Sequence, residues 1–141
     1  MTVIIRARDA DLALLEIDGN AAPPLPLAEP AEGATGIVIG HPYDRAWTTA
    51  ASQVLGPHLV EDYEARSTDL LVTCTRCGPG DSGGAVVDAG GSLIGIAIAA
   101  FSSTTYAVRS CVIGALLRAA RRHMDTAAVK TACSKSIRTI D

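Results

Sequence analysis

Apolar residues in this chain fall in short runs broken by glycine, proline and polar turns, a pattern that predicts strands rather than helices. Residues 3–8 alternate weakly, 12–17 form a compact apolar run, and Asp18-Gly19-Asn20 marks a turn. Residues 21–36 contain Pro23, Pro24, Pro26 and Pro30, which predicts an extended connection with few backbone donors. Further strands are predicted at 36–40, stopped by His41-Pro42, at 46–55, at 70–75 and at 104–109. Residues 58–68 read as polar and irregular, with room for a helical turn. The runs 85–88 and 93–101 flank Ala89-Gly90-Gly91, a hairpin signal. One segment changes period. From Ser110, a candidate N-cap, Ile113, Leu116, Leu117 and Ala120 recur at helical spacing, and Arg118, Arg121 and Arg122 follow where cations suit the helix dipole. The pattern is that of an all-β barrel or sandwich closed by a C-terminal α-helix.

Composition narrows the picture. The 141 residues suffice for one domain, and 48% hydrophobic content is enough to bury a core. Only 4% of residues are aromatic, so that core rests on Val, Ile, Leu and Ala. A net charge of −3 argues against nucleic-acid binding, which needs a basic footprint. The longest apolar run, 93–101, is far short of a bilayer span, and residues 3–5 are too short an apolar region for a signal peptide. From residue 107 onward basic residues outnumber acidic ones, which reads as a solvated helix face and tail, with contact to anionic lipid or a partner as the other reading.

Cys74, Cys77, Cys111 and Cys133 suit two disulfides or four free thiols. Cys74-Thr75-Arg76-Cys77 has the spacing of a redox pair or half a zinc site, but no βαβ unit surrounds it and no second pair completes it. No metal is therefore expected. Disulfides would imply an oxidising compartment.

The densest chemistry lies at Gly78-Pro79-Gly80-Asp81-Ser82-Gly83-Gly84. Glycines let the backbone take positive φ, small neighbours leave the serine hydroxyl open, and the N–H groups of Gly80 and Ser82 can stabilise an oxyanion. A phosphate loop is excluded because no Lys follows and no helix starts there. A plain glycine-rich turn is the other reading.

Gly80-Asp81-Ser82-Gly83-Gly84 resembles the nucleophile signature of the trypsin-like (chymotrypsin-fold) serine peptidases. The hairpin at 85–96 resembles the one that follows that signature, and Asp9-Ala10-Asp11-Leu12-Ala13-Leu14-Leu15 resembles the segment bearing the catalytic aspartate. Residues 36–42 look like the first buried strand of the family's second barrel. The nearest flavour is bacterial, HtrA-like and membrane-anchored periplasmic. The resemblance implies remnant first-barrel strands at 1–17, a Pro-rich inter-barrel connection at 18–35, the second β-barrel at 36–109, a helix at 110–124 and a tail at 125–141. It also implies Ser82 as nucleophile, Asp11 as the aspartate that orients a histidine, with Asp9 as fallback, and Gly80 and Ser82 as the oxyanion hole. Substrate-pocket walls would come from Thr75, Arg76, Cys77, Gly78 and Pro79 and from Ile98, Ala99 and Ala100. Methyl groups there, with Arg76 nearby, suggest a small or acidic side chain before the cut. Asp81, whose counterpart in activated relatives pairs with a freed N-terminus, needs another partner.

A serine needs a base to become nucleophilic, and the family's histidine precedes its aspartate. No histidine precedes Asp11; the three present are His41, His58 and His123. His41 ends a strand, and Asp11-His58-Ser82 follows the order of an unrelated α/β fold. His123 ends the helix. The expectation is that the true start lies upstream of Met1 and carries the histidine. The other readings are a pseudopeptidase that binds peptides or proteins without cleavage, and a separate chain supplying the first barrel. The expected partner is a peptide or protein substrate, with self-association through exposed N-terminal strands, a possible upstream membrane anchor and an extracytoplasmic (periplasmic or secreted) location for the full-length form. The triad mechanism needs no cofactor.

Overall fold

The structure is a computed structural model that describes residues 1–19, 22–56, 58–59, 70–73, 76–122 and 138–139, with backbone alone for 58–59, 70–73, 101 and 138–139. Strands β1 (Thr2–Ala7) and β2 (Leu12–Glu16) form an antiparallel hairpin joined by a 3-10 turn over Arg8–Ala10. Next come β3 (Thr35–Gly40), β4 (Thr48–Gly56), β5 (His58–Leu59) and β6 (Leu70–Thr73). Then follow β7 (Ala85–Asp88), β8 (Leu93–Phe101) and β9 (Thr104–Arg109). Helix α1 (Ser110–Arg122) follows, and β10 (Arg138–Thr139) pairs in parallel with β5. This last pairing lies in segments read from sequence as irregular and as tail; two residues are too few for a periodic signal.

Six strands close a barrel in the order β3-β4-β6-β9-β8-β7, every pair antiparallel. The barrel is filled by Val38, Ala50, Val54, Cys77, Val86, Ile94, Ala97 and Ala107. Small and β-branched side chains suit so narrow an interior. Burying Val38, Val54, Val86 or Ile94 stabilises by roughly 1.5–3 kcal/mol each.

A second core lies outside the barrel. Ala7 and Leu12 of the hairpin pack with Val108 and with Val112, Ile113, Leu116 and Ala119 of α1, and Leu93, Ile96 and Ile98 of β8 close the cluster. A bulge at Ile94 of β8, the residue skipped where Val86 pairs with Gly95 and Val87 with Leu93, re-phases β8 so that it serves both cores. The Pro-rich connection runs along the start of β8, where Leu93 N–H donates to Pro26 O (2.8 Å) and Ala28 N–H to Leu93 O (3.1 Å).

Two expectations for the helix are corrected. Ser110 is its first helical residue, and its buried Oγ has no hydrogen-bond partner, so it does not cap. The buried stripe is centred on Val112, Leu116 and Ala119, while Leu117 is exposed, because the packing surface offered by the hairpin and β8 selects the face.

Candidate active site

The loop 78–84 is positioned by barrel closure. Asp81 N–H donates to Gly78 O (3.1 Å) and Gly84 N–H to Asp81 O (2.8 Å), two consecutive turns around Ser82. Gly83 N–H donates to Ala97 O (2.7 Å) and Ala97 N–H to Gly84 O (2.9 Å), which fastens the loop's end to β8. Tyr43 N–H donates to Pro79 O (2.7 Å), which fastens its start to the turn after β3. Tyr43 and Asp44 both hold positive φ to make that turn, a contribution the sequence reading missed; His41-Pro42 signalled only that a strand stops.

Gly80 sits at φ +103, and a Cβ there would overlap the carbonyl oxygen of His41. Only glycine meets both demands. Asp81 is 4% exposed, and its carboxylate accepts the N–H of Gly78 at 3.0 Å. Its other oxygen lies against Gly40, where any side chain would collide. Asp81 therefore finds its partner inside its own loop.

Ser82 is exposed, and its hydroxyl donates to the carbonyl of Ile98 at 3.0 Å. Ile98 is the residue skipped where the β8–β9 register shifts between Ala97 and Ala99. Among the described hydrogen bonds, the N–H groups of Gly80 and Ser82 donate to no backbone carbonyl. An exposed hydroxyl beside two uncommitted N–H groups on a fixed backbone is an arrangement that can attack a carbonyl and hold the resulting oxyanion.

The remaining expected site residues are distributed as follows. Arg76, Pro79 and Ala100 are exposed, Ile98 and Ala99 are half-buried, and Cys77 and Gly78 are buried. The side chain of Cys77 belongs to the barrel core, and both Cys77 and Cys111 are disulfide-bonded. Thr75, Cys74, Cys133 and His123 lie outside the described residues, as does the side chain of His58. Asp11 ends the 3-10 turn of the hairpin with φ +50, is exposed, and borders a depression with Arg6, Arg8, Leu12 and Ala13. No described hydrogen bond joins Asp11 to Ser82. His41 donates through Nδ1 to Arg45 O (3.2 Å), and its ring lies 4.4 Å from that of Trp47. The described residues contain no cluster of His, Cys, Asp or Glu fit to hold a metal ion.

Residues 1–96 match the trypsin-like peptidase domain. Serine protease Rv3671c of Mycobacterium tuberculosis is 30% identical over 107 residues, which cover 70% of this chain and 27% of that protein. The chain thus spans about a quarter of that relative's length. The HtrA-type protease AlgW, solved with a decapeptide, is 26% identical with a TM-score of 0.69, over 82% of this chain and 38% of that one. The active form of the Rv3671c protease is 25% identical with a TM-score of 0.64, over 77% of this chain and 52% of that one. A nucleophile-type serine loop on a closed antiparallel barrel, a helix packed beside it and a family match across most of the chain agree: the chain belongs to the trypsin-like peptidase family.

Proposed function

We propose that this chain carries the nucleophile half of a serine endopeptidase. Ser82 Oγ attacks a peptide carbonyl, its proton passes to an imidazole supplied from outside these 141 residues, and the N–H groups of Gly80 and Ser82 hold the oxyanion. Collapse releases the amine, which takes that proton, and leaves an acyl ester on Ser82. Water then hydrolyses the ester with the same imidazole as base. Asp11 would orient the imidazole. The observation that carries this reading is the exposed Ser82 beside two uncommitted N–H groups. Peptide substrates are supported by the decapeptide in the AlgW structure. Ile98, Ala99 and Ala100 would form one pocket wall and residues 76–79 the other.

A second reading is a binding module that holds peptides without cutting them. It is favoured by the bond from Ser82 Oγ to Ile98 O, which commits the hydroxyl proton to a carbonyl instead of a base. An extracytoplasmic location is supported by the disulfide bonding of Cys77 and Cys111. Among the described residues, no helix is long and apolar enough to cross a membrane.

The deciding experiment takes the native protein from its own cell, determines its intact mass and N-terminus, and treats it with a fluorophosphonate. A species longer than 14.5 kDa that labels at Ser82 supports the peptidase. A species of that mass that captures peptides and does not label supports the binding module.

A further inference from the structure

The chain has one Trp, three Tyr and one Phe. Two of these rings, Tyr43 and Trp47, stand on the turn between β3 and β4, at 62% and 74% exposure. Neither belongs to a core. A single exposed apolar side chain is ordinary. Two within five residues, on a backbone that holds Tyr43 and Asp44 at φ +54 and +58, are not. Left-handed backbone at such residues persists only where the surroundings impose it, and it concentrates at segments that clamp ligands.

Here the surroundings are the loop that carries Ser82. The ring of Tyr43 occupies the space a Cβ on Gly78 would fill, and the carbonyl oxygen of His41 occupies that of Gly80, 3.4 Å from which stands Tyr43 N. With the bond from Tyr43 N–H to Pro79 O, the turn is fastened along the start of the loop, next to the oxyanion glycine. The indole of Trp47 leans on the imidazole of His41, with ring centres 4.4 Å apart and planes inclined at 51°. His41 Nδ1 donates to Arg45 O, which fixes the imidazole beneath it. The indole is thus supported on one side and open over most of its surface. Asp44 and Arg45, both exposed, are the charged residues of this turn, and their charges cancel. A supported, open ring without net charge around it suits an uncharged ring more than an ion.

We infer that Trp47 selects substrates that carry an aromatic side chain on the leaving-group side of the scissile bond. That placement rests on the reading of Ser82 as nucleophile. With the acyl part between residues 98–100 and 76–79, and its carbonyl at the N–H groups of Gly80 and Ser82, the departing segment runs past Gly80 along the turn 41–47. Trp47 takes no part in bond making; it holds the departing segment by ring stacking, offset or edge to face. The stacking surface itself does not depend on the assignment of Ser82.

The test is an NMR titration of the 141-residue chain with three tetrapeptide amides that mimic a departing segment: Ala-Phe-Ala-Ala, Ala-Ala-Ala-Ala and Ala-Arg-Ala-Ala. The indole N–H of Trp47, the one indole in the chain, and the amides of Tyr43 and Gly80 are the reporters. The Phe peptide is expected to shift them saturably and to bind roughly tenfold more tightly than the Ala peptide, with the Arg peptide weaker than the Phe peptide. Trp47→Ala, at a position outside both cores, should abolish the preference for Phe over Ala, read at Tyr43 and Gly80, and Trp47→Phe should restore most of it. Equal affinity for the Phe and Ala peptides, tighter binding of the Arg peptide, or a preference that survives Trp47→Ala overturns the inference. Fluorophosphonate labelling of Ser82 in the native protein separates the two readings. Labelling without an aromatic preference overturns this inference and leaves the peptidase standing; an aromatic preference without labelling supports the stacking surface and overturns the peptidase.

Discussion

The hydroxyl of Ser82 donates to the main-chain oxygen of Ile98 across 3.0 Å, joining the glycine-rich loop to β8. The bond is neutral and solvent-exposed, so it contributes about 0.5–1.5 kcal/mol at most. A substrate carbonyl and a base can therefore displace it at small cost. Ser82→Ala should abolish fluorophosphonate labelling of the native protein and lower its stability by no more than about 1 kcal/mol. Labelling by mass spectrometry and urea unfolding check the two halves. Persistent labelling in the mutant would place the nucleophile elsewhere.

Gly80 and Gly83 both hold positive φ, but only Gly80 has a backbone oxygen where a Cβ would go. Gly83→Ala should cost about 1–2 kcal/mol, the strain of a left-handed alanine. Gly80→Ala should cost more, because the His41 carbonyl must also move, and with it the turn bonded to Pro79. Equilibrium urea unfolding of the two variants side by side reads the difference. Equal losses would mean that the packing against His41 contributes nothing.

Cys77 is buried in the barrel and Cys111 lies in the first turn of α1, and both are disulfide-bonded. Reduction under native conditions should lower stability by about 2–4 kcal/mol. Thermal melting with and without a phosphine reductant checks this, and an unchanged Tm would show that the bonds are not structural.

The β1–β2 hairpin buries Ala7 and Leu12 but leaves Val3, Ile4, Leu15 and Ile17 exposed, with Val3 opposite Leu15 in the register. Two strands with open edges and an apolar outer face are prone to pair with another chain. The 141-residue chain should self-associate at micromolar concentrations, and Val3→Lys with Leu15→Glu should shift it toward monomer. Light scattering coupled to size exclusion reads the change; a wild-type monomer at all concentrations would count against this surface.

Local pattern alone determined much of this protein. The strands read at 85–88, 93–101 and 104–109 are β7, β8 and β9 as they stand, because alternation and turn residues are properties of neighbouring positions. The loop around Ser82 was legible for the same reason, since its glycines are adjacent in the chain. What only the tertiary structure decided involves distant partners. Ser82 meets Ile98 because the β8–β9 bulge leaves that residue out of register. Arg109 meets Glu29, 80 residues away, because the Pro-rich connection is laid along β8. The buried stripe of α1 is centred on Val112, Leu116 and Ala119 because the hairpin and β8 present the surface against which it packs. Periodicity states which residues can share a face; barrel closure, bulges and register determine what that face meets.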